Sequence, residues 1–459
     1  MFPEGFIQRL RTQNYLDPDG LLRSLQEPSP VSIRLNKNKW DRIPHNPEQV
    51  AWCSSGYYLE SRPSFTADPL FHAGCYYPQE ASGMFIEQIF RQHLPEPDNI
   101  KVLDLCGAPG GKSTHLASLI GRNNLLVSNE VIASRASVLS ENVTKWGLSN
   151  AIVTQSDPSA FGRLGSFFDL ILVDAPCSGE GMFRDPVAIG EWSESAALLC
   201  SERQKRILAD VWPALKPGGI LVYSTCTFNP AENEENVEWL AAGHGAKPLS
   251  MDISSFKGIT EVDYKGIKGY GFYPGRIRGE GLFVSVMRKE GENTAGSRSE
   301  AVKLKNEVKR QDLVVAGEWT SFPPERILRW GEEMFYVPCN PEYYFLLGKF
   351  LRIVNPGTRI CTVKNNSYVP SHDLALSAGF RNDAFYSCEA GYDQAVEFLR
   401  KDPPRVENVP KGYFLLSYNG VNLGFCNNIG KRVNNYYPTG WRIRMQNPGG
   451  NANIIRWND

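Results

Sequence analysis

The sequence predicts an α/β fold: a mainly parallel sheet with helices on both faces, a small region before it, and small β-rich domains after it. Three observations predict this. Short apolar runs alternate with helical spacing between about residues 71 and 290. A glycine-rich turn, "DLCGAPGGKST" (Asp104 to Thr114), joins the first of these runs to a helix. The chain has 459 residues, 42% hydrophobic and 22% charged, a globular composition with room for roughly two to four domains.

Taken in order, the start "MFPEGFIQRLRTQNYL" has the spacing of an amphipathic helix and lacks the form of a secretory signal. "PVSIRLNKNK" predicts a strand with basic ends, and residues 1–70 form a small N-terminal region. "KVLDL" predicts a buried strand and "STHLASLIG" a helix closed by Gly121. "LLVSNE", "AIVTQSD", "FDLILVDAPC" and "GGILVYSTCT" continue the strands. "AALLCSERQKRILADVWPALKPGG" has helical spacing that stops at Pro217-Gly218-Gly219, and "LFVSVMRK" (282–289) reads as the final strand. The polar stretch 291–310 predicts a linker. Aromatics and short strands follow, divided near 387 into a small α/β domain (311–386) and a last domain (387–459). Asn419-Gly420 is a hairpin signal in that last domain, which predicts a small β-barrel. No internal repeat is present.

No apolar run approaches the roughly 18 residues that would cross a bilayer, so the expectation is a cytoplasmic protein without membrane contact. Ten cysteines are scattered with no Cys-x-x-Cys pair, which disfavours a structural zinc site, and no metal is expected. The formal net charge is −1, too little to coat nucleic acid by charge alone. From Lys411 onward, however, Lys411, Lys431, Arg432, Arg442, Arg444 and Arg456 face the single acid Asp459. Interleaved with Tyr436, Tyr437 and Trp441, they predict an RNA-facing patch.

The glycine turn ends in Gly111-Lys112-Ser113, as a triphosphate loop does, but the first position of that pattern is Cys106 instead of glycine. A Cβ there opposes wrapping around phosphates. A P-loop NTPase is therefore disfavoured, and an adenosine ligand without phosphate, such as S-adenosylmethionine, suits the turn. In a parallel sheet every strand's carboxyl end opens on one edge. Glu130 closes the second strand, where an acid suits a ribose diol. Asp157 closes the third and is placed to face an adenine. Asp174, Pro176 and Cys177 close the fourth, and Cys226 closes the fifth. Each acid alone also suits an ordinary strand cap. Two thiols and an acid beside such a pocket suit methylation of a pyrimidine at C5: a thiolate adds to C6, and C5 becomes nucleophilic. An acid at the base edge stabilises the adduct. The spacing alone leaves open which cysteine attacks, because Pro176-Cys177 also matches the Pro-Cys pair of DNA cytosine methyltransferases.

These motifs resemble the Nop/Sun family of RNA cytosine-C5 methyltransferases, and within it the bacterial RsmF-type 16S rRNA enzymes. "DLCGAPGGKST" resembles the family's cofactor loop, "DAPCSGEGMF" and "STCTFNPAENEENV" its two cysteine motifs, and "HAGCYYPQEASGM" its lead-in to the catalytic domain. "LGFCNNIGKRVNNYYP" resembles that subgroup's PUA-like domain. The resemblance implies a Rossmann-like S-adenosylmethionine-dependent catalytic domain over 71–290 and a PUA-like RNA-binding domain over 387–459. It implies that Cys106, Gly107, Ala108, Pro109, Gly110, Gly111, Lys112, Glu130, Asp157 and Asp174 line the cofactor pocket. It makes Cys226 the nucleophile, gives Cys177 a part in product release, and sets Asp174 against the base edge. Lys205 is a further pocket candidate, or a plain helix-surface lysine. Arg34 and Asn36, in "SIRLNKN", fit an N-terminal RNA contact, alongside Lys431, Arg432, Tyr436 and Arg442. RNA, 16S rRNA or the small ribosomal subunit, is the implied partner of a monomer. Two departures stand out: Gly107 replaces the family's usual alanine, and Pro274-Gly275 replaces a common Pro-His. An RNA-binding ribosome-assembly factor with a vestigial cofactor site is the alternative.

Overall fold

The structure, a computed structural model, describes residues 1–94, 98–291, 307–365, 367–446, 449 and 452–458. Its centre is a ten-stranded sheet. In chain order the strands are β1 (Lys101–Asp104), β2 (Leu125–Asn129), β3 (Ala151–Thr154), β4 (Phe168–Asp174), β5 (Leu215–Thr225), β6 (Ala246–Pro248), β7 (Thr260–Tyr264), β8 (Ile267–Phe272), β9 (Leu282–Lys289) and β10 (Ile353–Asn355). They lie in the order β7-β8-β9-β5-β4-β1-β2-β3-β10, with β6 on β9.

The five inner strands, β5 through β3, are parallel. Alternate residues face opposite layers, as a strand's period of two requires. Leu103, Val127, Ile171 and Leu221 enter one core, while Val102, Leu126, Leu170 and Val222 enter the other. Burial on both faces makes these strands continuous apolar runs, which is why they are legible in the sequence.

Both flanks are antiparallel, which the sequence reading did not anticipate. β7 and β8 turn at Lys265-Gly266, both with positive φ (52° and 80°), without the usual Asn-Gly signal. "LFVSVMRK" is not the final strand of the sheet: β10 returns from beyond residue 310 to pair with β3. The helix expected to run to Pro217 ends at Val211, and β5 begins at Leu215, taking Pro217-Gly218-Gly219 into its first half. Of the expected linker, residues 292–306 lie outside the described residues, and Arg310 already opens the helix Arg310–Trp319.

Three four-stranded sheets complete the molecule. The first holds Val31–Leu35, the second Thr358–Lys364, and the last Gly412–Tyr418 with Val421–Asn428. The first and last share one core: Ile33, Leu35, Trp40 and Leu70 pack with Phe398, Phe414, Leu416 and Tyr437. No helix among the described residues is long and apolar enough to cross a membrane.

Candidate active site at the strand ends

The carboxyl ends of β1, β2, β4 and β5 build one site. The glycine turn leaves β1 and enters the helix Gly111–Ile120. Gly110 has φ 119°, a conformation that an L side chain resists, and a Cβ on Gly107 would lie 2.7 Å from Ser113 Oγ. The turn is held through its backbone. Gly107 N–H donates to Asn129 O at 2.7 Å, Arg135 Nη2 to Ala108 O at 3.0 Å, Asn142 Nδ2 to Pro109 O at 2.8 Å, and Thr114 Oγ1 to Gly110 O at 2.7 Å.

Lys112 does not reach toward a phosphate position. Its Nζ lies 2.8 Å from Asp174 Oδ2. Burial works most strongly against the ammonium, but Asp174 beside it, with Cys226 and Asp104, holds its pKa above the ordinary value. Around the turn the charge is negative. Burial first, then Asp104, Asp174 and Glu130, push the Cys106 thiol up. Asp104 is fully buried, accepts Ser113 Oγ–H at 2.6 Å on one oxygen, and has its other oxygen without a hydrogen-bond partner. Burial, aided by Asp174 and Glu130, lifts its pKa to about 7. Asp174 and Glu130, with Asp104 giving up its proton near neutral pH, oppose a triphosphate and suit a cationic ligand.

Glu130 is buried, accepts Ile132 N–H at 3.0 Å, and faces Arg135 at 3.5 Å. Asp157 is exposed and caps the helix Pro158–Gly162. Ser159 N–H and Oγ–H both donate to its Oδ1, holding its pKa below the ordinary value. Lys205 pairs with Glu202 on its own helix at 2.9 Å, as a surface lysine would.

The two cysteines meet. β4 and β5 are neighbours in the register Asp174 opposite Ser224, which delivers Cys177 and Cys226 side by side. Their sulfurs are 3.1 Å apart, both are free thiols, and Cys226 N–H donates to Cys177 Sγ at 3.3 Å. Ser224 Oγ donates to Asp174 Oδ1 at 2.7 Å, fixing the carboxylate against Lys112. The two cysteine-bearing loops are also cross-braced. Gly181 N–H donates to Cys226 O at 2.9 Å, and Gly281 N–H to Gly181 O at 3.2 Å. Ser178 N–H donates to Glu232 Oε2 at 2.9 Å.

Sequence reasoning missed Asp104, Arg135, Ser224 and Glu232. Asp104 and Ser224 sit inside recognisable motifs at strand ends, so their position was the available signal. Glu232 also lies inside the second cysteine motif, but its partners needed the fold.

Two of the proposed RNA contacts are corrected. Arg34 and Asn36 are fully buried and face inward. Arg34 donates to Gln79 Oε1 at 2.7 Å and Thr114 Oγ1 at 2.6 Å, and stacks on Trp146 at 4.3 Å. Asn36 Nδ2 donates to Gly74 O and Trp146 O, each at 2.9 Å. They fasten the N-terminal sheet to the catalytic layer instead. Tyr437, read with the basic patch, is also fully buried. Lys431, Arg432 and Arg442 are exposed and form no ion pair among the described residues, and Tyr436 is half-buried against Tyr413.

Elsewhere Cys53, Glu87 and His115 come within 4.8 Å of one another, all buried. Both Glu87 oxygens accept Ser54 N–H, Arg91 pairs with one of them at 2.6 Å, and the Arg34 charge acts on all three groups. A divalent cation would sit against that buried guanidinium, so the cluster works as a hydrogen-bonded lock.

Known proteins match along the chain. Residues 92–288 match the family model for 16S rRNA methyltransferase RsmB/F, 2–81 the N-terminal domain of RsmF, and 385–443 the RsmF PUA domain. The ribosomal RNA small subunit methyltransferase F of Enterobacter sp. (strain 638) is 30% identical, with 95% of each chain covered. That of Shewanella loihica is 31% identical over 85% of this chain and 83% of the relative. Among solved structures, a methyltransferase homologue from Pyrococcus horikoshii aligns at TM-score 0.51 and 27% identity, covering 62% of this chain and 93% of that one. NSun6 from the same organism, solved with SFG, aligns at TM-score 0.53 and 19% identity over 63% of this chain and 99% of that one, a likeness of fold.

Proposed function

Because the chain belongs to the RsmF family of 16S rRNA methyltransferases, we propose that it methylates C5 of a cytosine in small-subunit ribosomal RNA, with S-adenosylmethionine as donor and Cys226 as nucleophile. The observation that carries this reading is the pair of free thiols 3.1 Å apart, just beyond the Ser224–Asp174 contact.

When bound, S-adenosylmethionine supplies an electrophilic methyl group on a sulfonium. The residues that would hold it are the turn Cys106 to Lys112 with Asp104, Glu130 and Asp174, and Asp157 at the rim. Their net negative charge and the unpartnered Asp104 oxygen fit a cation. Cytosine C5 is a poor nucleophile. The Cys226 thiolate forms a bond to C6, and the C5–C6 π pair moves to C5, which then takes the methyl group. Asp174, oriented by Ser224 and Lys112, hydrogen-bonds the base edge as charge develops. Loss of the C5 proton and breaking of the C6–sulfur bond end the cycle, with Cys177 assisting release. Turning a cytosine out of its stack costs a few kcal/mol. Lys431, Arg432, Tyr436 and Arg442 offer the RNA contacts that offset this.

Cys226→Ala is expected to abolish methyl transfer to rRNA. Cys177→Ala is expected to accumulate a denaturation-resistant protein–RNA adduct, visible on a denaturing gel. Exchange of these two outcomes overturns the assignment of nucleophile.

A further inference from the structure

Two adjacent thiols of equal acidity would compete for the same carbon. Resting on the methyl-transfer reading above, we propose that Glu232 is the positioning residue that makes them unequal: its buried carboxylate anchors Cys177 and leaves the nucleophile's role to Cys226.

Glu232 is fully buried in the turn between Cys226 and the helix Glu234–His244. It takes Ser178 N–H at 2.9 Å and Gln204 Nε2–H at 2.9 Å on Oε2, and Ser178 Oγ–H on Oε1. These donors favour the ionised carboxylate against the burial that raises its pKa. Gln204 Nε2 also donates to Pro176 O at 3.0 Å, so the residues on both sides of Cys177 are tied to one anion. Among the described residues the Cys226 side meets that anion through a relay, Ser178 Oγ to Thr227 Oγ1 at 2.9 Å. Glu232 is itself fixed, because Tyr223 O–H donates to its carbonyl at 2.6 Å.

The charges around the two sulfurs differ accordingly. The contact with Cys226, burial, and then the Cys226 and Glu232 charges hold the Cys177 thiol well above the ordinary value, and the Gly179 N–H acts weakly the other way. Tyr223 and Cys200 complete the surroundings, and Glu180, paired with Arg9, adds a second carboxylate beside Glu232. Lys112 is already paired with Asp174. The carboxylate beside Cys177 opposes its thiolate.

Alkylation requires the thiolate, so iodoacetamide reports Cys177 directly. Cys226→Ala and Cys226→Ala/Glu232→Gln are alkylated from pH 6.5 to 10, with Cys177 followed by peptide mass spectrometry. Removing the charge is expected to lower the Cys177 midpoint by about one pH unit. Glu232→Asp keeps the charge and is expected to keep the high midpoint while lowering methyl-transfer turnover. Where Glu232→Gln does not melt cooperatively, Glu232→Ser serves the same comparison. An unchanged or higher midpoint in the neutral variant overturns the proposal, even if stability and turnover fall. The assay uses neither RNA nor cofactor. Expected shifts in these variants beside a wild-type protein that transfers no methyl would sink the reading above and leave only the control of Cys177 by Glu232 standing.

Discussion

Asp104 lies beneath the glycine turn with Ser113 on one oxygen and its other oxygen unpartnered. Burial lifts its pKa from the ordinary acid range to about 7, so between about pH 4 and 7 the folded protein holds a proton that the unfolded chain releases. Stability therefore falls as pH rises through that window, by a few kcal/mol at most, on the order of 1.4 kcal/mol per pKa unit. Asp104→Asn keeps the Ser113 hydrogen bond and is expected to flatten the dependence of Tm on pH between 4.5 and 8. A wild-type Tm as flat as the variant's would contradict the buried acid. Arg34 shows the opposite side of reading charge from sequence. Its basic neighbourhood suggests a nucleic-acid contact, yet its guanidinium is engaged by Gln79, Thr114 and the Trp146 face. Arg34→Ala is expected to cost about 2–4 kcal/mol and to weaken cofactor binding through the turn. The salt dependence of RNA binding should not change. Thermal unfolding and titration at two ionic strengths read these separately.

At the scale of elements, the loops after β4 and β5 are locked to each other and to the stretch before β9. A Cβ on Gly181 would meet Gly281 O at 2.7 Å and Cys226 O at 2.9 Å, backbone atoms that move only with their loops. Gly181→Ala is expected to leave the fold cooperative while cutting methyl transfer at least tenfold, because small misplacements of reacting atoms slow a reaction steeply. A variant with full turnover would show that the sulfurs tolerate such a shift. What was legible divides along the same lines. Strands buried on both faces advertise themselves as apolar runs, so the parallel centre and the residues at its carboxyl ends could be read directly. Of the antiparallel flanks, β9 was read as a strand but not its direction, and the rest could not be read. β10 is three residues long, too short for any periodicity, and the β7–β8 hairpin turns on Lys265-Gly266 instead of a recognised signal. Glu232 sits within the second cysteine motif, but its role was illegible for another reason: its partners Ser178 and Gln204 stand 54 and 28 residues away.

For the whole molecule, the proposed function assigns RNA binding to the exposed cations of the last domain. Replacing Lys431, Arg432 and Arg442 together by alanine is expected to weaken binding of an rRNA fragment. The slope of log affinity against log salt should flatten by about two units, at roughly 0.7–0.9 for each phosphate left without its cation. Binding measured between about 50 and 200 mM salt tests this, and an unchanged slope would move the RNA surface elsewhere. The first and last sheets share a core, and the backbone joins them as well. His45 N–H donates to Arg456 O at 2.8 Å, Asn458 N–H to Ile43 O at 2.9 Å, and Trp40 packs on Trp457 at 5.5 Å. Stretches some four hundred positions apart in the chain thus close on each other like the two halves of a clasp. Damage to either half would loosen both.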